Sequence, residues 1–210
     1  MAGKKSISAE NKWMSTSRIQ SLTDCIFAFA MTLLVFNLIM PNANNDLSET
    51  QLSTFLGNQA KEFYNYVISF FILAIFWMTH TQQFHYFQGT NRTHLWINVV
   101  TLMFIVLIPF STSLMSDYPL DPMADIFFGL NLLIVGLLYY VNWEYATSNY
   151  RFIKKDVSKA ELDRAKRESL AIPIVAVFSM IFAFTAPFLA EFSYVLIPIV
   201  RLLMAQKKVI

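Results

Sequence analysis

Apolar residues run along this chain in long blocks, separated by short polar or charged stretches. Six blocks stand out, at residues 19–40, 63–82, 95–114, 124–141, 170–186 and 188–204. Each approaches the ~20 apolar residues that a helix needs to cross a hydrocarbon layer of roughly 30 Å. The pattern predicts an all-α integral membrane protein with six transmembrane helices in a domain spanning residues 18–206. A polar tail at 1–17 precedes the domain and a short tail at 207–210 follows it. The fifth and sixth blocks are separated only by Pro187 and by Ala190, Glu191, Phe192 and Ser193, so a tight hairpin is required there. The first block starts too late for a removable signal peptide, lacks a small-residue cleavage site and is followed by further spans.

Composition agrees with a bilayer. Of the 210 residues, 56% are hydrophobic and only 14% are charged, against roughly one-quarter in soluble domains. A formal charge of +2 offers nothing to a nucleic acid, because the placement of the basic residues follows topology. Lys4, Lys5, Lys12, Arg18, Arg92, Arg151, Lys154, Lys155, Lys159, Arg164, Lys166, Arg167, Arg201, Lys207 and Lys208 fall on one side of the six-span plan, and only Lys61 falls on the other. The positive-inside tendency then puts both termini in the cytoplasm. The opposite loops carry Asp46, Glu49, Asp117, Asp121, Asp125 and Glu191, a negative surface that modestly favours cations. The charged linker at 148–168, with Lys159, Asp163, Lys166 and Arg167 at helical spacings, predicts a short cytoplasmic helix near the headgroups.

Candidate chemistry concentrates on the first block. Residues 25–40 are apolar apart from Thr32 and Asn37, and Asp24 stands at the mouth of the run, six residues after Arg18. A carboxylate in that place persists where it meets a partner, water or an ion. Phe29, Leu33 and Phe36, spaced by four and three, share one stripe with Thr32 beside them. Such a stripe is also what helix packing produces. Arg18, Thr23 and Asp24 at its start add a polar vestibule to the greasy face. Arg18 and Asp24 do not share a helix face, so each is assigned to a contact with another helix or subunit, with Trp77 and His80 as candidate partners. His80 reads either as a hydrogen-bonded interfacial histidine or as a pH-sensitive contact to Asp24. His85 and His94 lack paired carboxylates and do not make a metal site. Cys25 is the only cysteine, which excludes an internal disulfide. No nucleophile–base–acid set, phosphate-binding glycine loop or His-Glu-x-x-His motif points to an enzyme or a cofactor.

Arg18, Leu22, Thr23 and Asp24, followed by the apolar run to Phe36, resemble the Arg-x-x-x-Phe-Ser-Asp first-helix signature of the prokaryotic branch of the transmembrane protein 175 family, relatives of the lysosomal potassium channel. Phe76, Trp77 and His80 are similar to that family's Phe-Trp-x-x-His, and Leu95, Trp96 and Asn98 with Pro109, Phe110 and Ser111 resemble its third helix. The chain departs from the signature at Leu22 and Thr23, keeping apolar bulk and a hydroxyl while losing an aromatic ring. The resemblance implies a homotetrameric, weakly selective potassium channel with the first helix of each subunit lining the pore. It also implies no carbonyl filter, and the glycines at 3, 57, 89, 129 and 136 form none. Carried over by position, Phe29 stands at the narrowest ring, where family members usually have an aliphatic residue. Thr32 then contributes to selectivity and Phe36 forms a second apolar ring. The absence of an organellar signal favours a prokaryotic plasma membrane. Two rival expectations are a secondary or proton-coupled transporter using Asp24 and His80, and a non-conducting membrane scaffold.

Overall fold

The computed structural model describes residues 14–38, 49–119 and 121–206. The first thirteen residues, Met40, Asp46, Lys207 and Lys208 lie outside them, and so does what the sequence predicts there. The described residues fold into helices. α1 is Ser17–Leu33, followed by a 3₁₀ turn at Leu34–Asn37. α2 (Glu49–Asn58) leads into the long α3 (Ala60–Tyr86). α4 (Arg92–Val106) and α5 (Ile108–Asp117) form one interrupted rod, and α6 is Pro122–Thr147. α7 (Lys159–Glu168) occupies the charged linker. α8 (Ala171–Ala183), α9 (Pro187–Ser193) and α10 (Ile197–Gln206) complete the chain.

Five stretches are long and apolar enough to cross a membrane: Ser17–Asn37, Ala60–Tyr86, Arg92–Asp117, Pro122–Tyr150 and Leu189–Gln206. They match the first four and the last of the sequence blocks, with helix ends extended by several residues. The fifth block is the exception in length. α8 has only 13 residues, about 20 Å at 1.5 Å per residue, because the chain leaves the helix at Phe184 and restarts at Pro187. The hairpin that the sequence requires is this turn, closed by the amides of Thr185 and Ala186 on the Phe182 carbonyl and by Ser179 Oγ donating to the Ala190 carbonyl at 3.0 Å.

The break between α4 and α5 has a covalent cause. Pro109 brings no amide hydrogen and its ring crowds the preceding turn, so the rod bends at Leu107. Three hydroxyls and one amide gather around the bend. The Ser111 and Thr112 hydroxyls each lie 2.9 Å from the Ile108 carbonyl, Thr112 Oγ1 also lies 2.8 Å from Ser69 Oγ of α3, and Asn131 of α6 donates to Ser111 at 3.3 Å. Further along α5, Asn65 of α3 donates to Ser116 at 3.1 Å. Nearer the other end of the rod, Asn98 of α4 donates to Asn142 of α6 at 2.9 Å. Between apolar helices such bonds give orientation, since lipid supplies no competing partner.

α6 and α8 approach most closely at glycine. A Cβ on Gly136 would lie 2.4 Å from Pro173 Cγ, whereas one on Gly129 would lie 2.7 Å from Met180 Cγ. The two glycines are seven residues apart and share a helix face, a small-residue seam that lets backbones close up.

Loops carrying the basic residues meet at one end of the bundle. Met14 and Thr90 exchange backbone hydrogen bonds of 2.9 and 3.0 Å, and Gln88 donates to the Phe152 carbonyl at 2.8 Å. Lys154 donates to the His85 carbonyl at 2.6 Å. α7 starts at a capping box in which Ser158 and Glu161 bond reciprocally, holding the Glu161 carboxyl below its ordinary range. It is tied down by Glu168, which faces Arg164 at 2.8 Å and Arg201 of α10 at 3.5 Å, while Arg201 also donates to Gln82 of α3 at 3.1 Å. Lys166 reaches Glu144 of α6 at 2.6 Å. At the far end Lys61 pairs with Glu191 at 2.7 Å.

The seam makes a graded prediction. Gly136→Ala forces α8 away from α6 at a rigid proline ring and should cost about 1–3 kcal/mol, while Gly129→Ala meets a pliable methionine and should cost less. Thermal melting of the purified protein in detergent checks the order; an equal or reversed loss would remove Pro173 as the limiting contact.

Candidate functional site: the first helix

α1 carries two faces. Ile19, Thr23, Phe27, Ala30 and Leu34 recur every three or four residues and are buried against the rest of the chain. Arg18, Leu22, Cys25, Phe29, Thr32 and Phe36 recur with alternating steps of four and three on the opposite side, and all six are exposed. Phe29 is 58% exposed and Phe36 80%, values that an apolar ring holds only where lipid or another subunit covers it. Leu33 is half-buried at the edge of this stripe.

Thr32 behaves in a specific way within the stripe. Its hydroxyl donates to the Phe29 carbonyl at 2.8 Å, which uses the proton and leaves the oxygen lone pairs turned outward as acceptors. The stripe thus offers a basic end, two aromatic rings and, between the rings, an acceptor oxygen.

The signature residues divide between the faces. Arg18 and Leu22 lie on the exposed stripe, and Arg18 makes no ion pair among the described residues. Thr23 is fully buried, and its Oγ1 lies 3.4 Å from His80 Nε2 of α3. Asp24 sits beside it and accepts from Trp77 Nε1 at 2.8 Å. Three residues separate Trp77 from His80, one turn of α3, so the two meet consecutive residues of α1. No hydrogen bond joins His80 to Asp24 among the described residues. The His80 ring instead stacks on Phe84 with centroids 4.1 Å apart, and its edge faces Tyr139.

The other end of the helix is held by Asn37, whose Nδ2 donates to the Pro109 carbonyl at 3.2 Å. Asn37 stands out in sequence only as a polar interruption of an apolar run, a signal that marks a partner without saying which. His94 and Asn91 were equally silent. Asn91 caps α4 by accepting the His94 amide at 2.9 Å, and the His94 ring takes Thr90 Oγ1 at 2.8 Å inside an aromatic cage that includes Phe84, Phe87 and Phe152.

The chain is similar to known proteins in sequence and in fold. Residues 18–109 match the family model described as endosomal/lysosomal potassium channel TMEM175. A potassium channel of Streptomyces collinus is 26% identical over 136 residues, covering 63% of this chain and 65% of that one. A potassium channel of Chamaesiphon minutus is 24% identical over 157 residues, or 73% and 76% of the two chains. The endosomal/lysosomal proton channel TMEM175 of Danio rerio is 21% identical over 193 residues, which is 89% of this chain and 36% of its own length. In fold, the crystal structure of a lysosomal potassium-selective channel TMEM175 homolog from Chamaesiphon minutus superposes with a TM-score of 0.76 at 20% identity, over 91% of this chain and 98% of that one. A variant of the potassium channel MtTMEM175 gives 0.56 at 14% identity. The matched stretch begins at Arg18 and runs through Trp77, His80 and Pro109, and on this footing the chain is a membrane protein that resembles the TMEM175 family, in sequence over residues 18–109 and in fold over most of its length.

Proposed function

We propose that this chain is a subunit of a homotetrameric potassium channel, with four copies of α1 around a common axis. The observation that carries the reading is the two-faced first helix: one side is packed by its own chain, and the other leaves Arg18, Leu22, Cys25, Phe29, Thr32 and Phe36 exposed among the described residues. That the bacterial relatives are potassium channels supports potassium as the permeant ion. The concentration of basic residues at one end of the bundle supports a membrane orientation with Arg18 and both termini in the cytoplasm.

Permeation then follows from hydration. A cation reaching the Phe29 ring meets no ligand to replace its water, and Na⁺ holds that water more tightly than K⁺, so an apolar constriction favours K⁺ modestly. Thr32, one turn further out, returns some coordination through lone pairs that its own hydrogen bond leaves free. Phe36 forms a second apolar ring. A narrow ring of four phenylalanines also empties of water readily, which makes Phe29 a gate as well as a bottleneck. Asp24 and Thr23 serve as anchors on Trp77 and His80 and take no part in conduction. The proton-coupled carrier reading needs Asp24 and His80 to exchange a proton, and their hydrogen bonds run to other partners.

Three outcomes test this. In proteoliposomes Phe29→Ala should raise K⁺ flux severalfold over the unsubstituted protein; background flux from both would leave a membrane scaffold, and counterflow without current would indicate a carrier. Thr32→Ala should shift the K⁺/Na⁺ reversal potential toward equality, and an unchanged potential removes Thr32 from selectivity. Trp77→Phe keeps the ring and deletes the donor to Asp24, so it should destabilise the assembled protein by about 1–3 kcal/mol, read as a lower melting temperature with unaltered selectivity.

A further inference from the structure

Between the last turns of α6 and the flank of α7 lies a cleft of about 190 Å³, whose walls include Trp143, Glu144, Tyr150, Lys159, Asp163 and Lys166. α6 belongs to a stretch long enough to cross a membrane, so its end and this cleft stand at the level of the lipid headgroups. The volume is below the roughly 300 Å³ at which sites for drug-sized ligands begin, which leaves room for a small polar group.

Charge selects among small polar groups. Glu144 and Asp163 balance Lys159 and Lys166, so the four side chains carry no net charge and favour neither a lone anion nor a lone cation. Lys166 is already engaged, with Glu144 Oε2 at 2.6 Å and the Tyr140 ring centre 5.3 Å away. Lys159 and Asp163 stand four residues apart on α7, a spacing at which lysine and carboxylate can pair, yet neither makes an ion pair among the described residues. Two unused charges of opposite sign in one cleft match a ligand that carries a phosphate beside an ammonium. At the rim stands Tyr150, 55% exposed, after two successive left-handed residues, Asn149 with φ 54° and Tyr150 itself with φ 52°. An exposed tyrosine ring is at home at the membrane–water interface.

The surface beside the cleft separates a lipid from a soluble phosphate. Leu130, Leu137 and Val141 share one face of α6 with Glu144 at its head, and they are 44%, 46% and 48% exposed. From Val141 to Leu130 the helix rises about 16 Å, the depth of one leaflet of a hydrocarbon core roughly 30 Å thick. A phospholipid uses both the charges and this apolar stripe.

We propose that the cleft binds the headgroup of an ethanolamine phospholipid, with its phosphate on Lys159, its ammonium on Asp163 and an acyl chain along the Leu130, Leu137 and Val141 face of α6. Ethanolamine is chosen over choline by hydrogen bonding: a primary ammonium donates three hydrogens to a carboxylate and a trimethylammonium donates none. The site is independent of α1 lining a pore.

The test compares phosphatidylethanolamine, phosphatidylcholine and phosphatidylglycerol of identical acyl chains, each titrated into the purified full-length protein in detergent, with bound lipid counted by native mass spectrometry. The unsubstituted protein should prefer the ethanolamine lipid over the choline lipid by about fivefold, the upper end for one partly exposed charge pair. Asp163→Asn should bring that ratio to one by weakening the ethanolamine lipid alone. Lys159→Gln should weaken both lipids alike and keep the ratio. Neither residue is buried, so both variants should melt at the temperature of the unsubstituted protein. Equal binding of the ethanolamine and choline lipids to the unsubstituted protein overturns the proposal, and so does a preference that survives Asp163→Asn. Tighter binding of phosphatidylglycerol would make the cleft an anion site and overturns it as well. Phosphoethanolamine without acyl chains should fail to displace the lipid at equal concentration; full displacement assigns the site to a soluble phosphate and overturns the lipid.

Discussion

A polar group inside a lipid-bathed helical bundle has no water to fall back on, so each one must find a partner among the helices or cost several kilocalories. That constraint organises this molecule. Thr23 and Asp24 on α1 find His80 and Trp77 on α3; Asn37 finds the carbonyl of Pro109; Thr112, Ser111 and Asn98 find Ser69, Asn131 and Asn142. Most of the remaining surface is apolar and non-directional, able to slide and rotate at small cost. The few polar contacts therefore set the rotation of α1, and that rotation decides which side chains are left uncovered.

The consequence is a division of labour within one helix. Its buried face carries position, and its other face is left uncovered by the described residues. The signature at its start straddles both, with Thr23 buried, Asp24 exposed but held by Trp77, and Arg18 and Leu22 exposed. The substitution of leucine for the family's phenylalanine at residue 22 falls on the uncovered side, 45% exposed, away from the anchoring bonds. The hydroxyl that Thr23 keeps falls on the packed side, where it is needed.

The two ends of the bundle are built differently. Basic loops at one end are stitched by backbone bridges and by the Glu168–Arg201–Gln82 cluster, which ties the amphipathic α7 to α10 and α3. At the other end Lys61 and Tyr64 of α3 hold the α8–α9 hairpin through Glu191, by an ion pair at 2.7 Å and a hydrogen bond to its carbonyl at 3.3 Å.

Hydropathy alone determined the all-helical membrane plan, since runs of that length have few other solutions in lipid. The spacing of Phe29, Thr32 and Phe36 marked one stripe, because helix periodicity is a local property. Periodicity does not say which stripe faces the protein; Leu33, grouped with the rings in sequence, is half-buried beside Leu34 once the chain is folded. The shortness of α8 was hidden because apolar residues continue past the helix end at Phe184, and only the turn before Pro187 cuts it off. Asn37 and Gly136 looked incidental for a related reason. Their partners lie 72 residues away at Pro109 and across a helix interface at Pro173, and a pairing between distant segments exists only when the helices have packed.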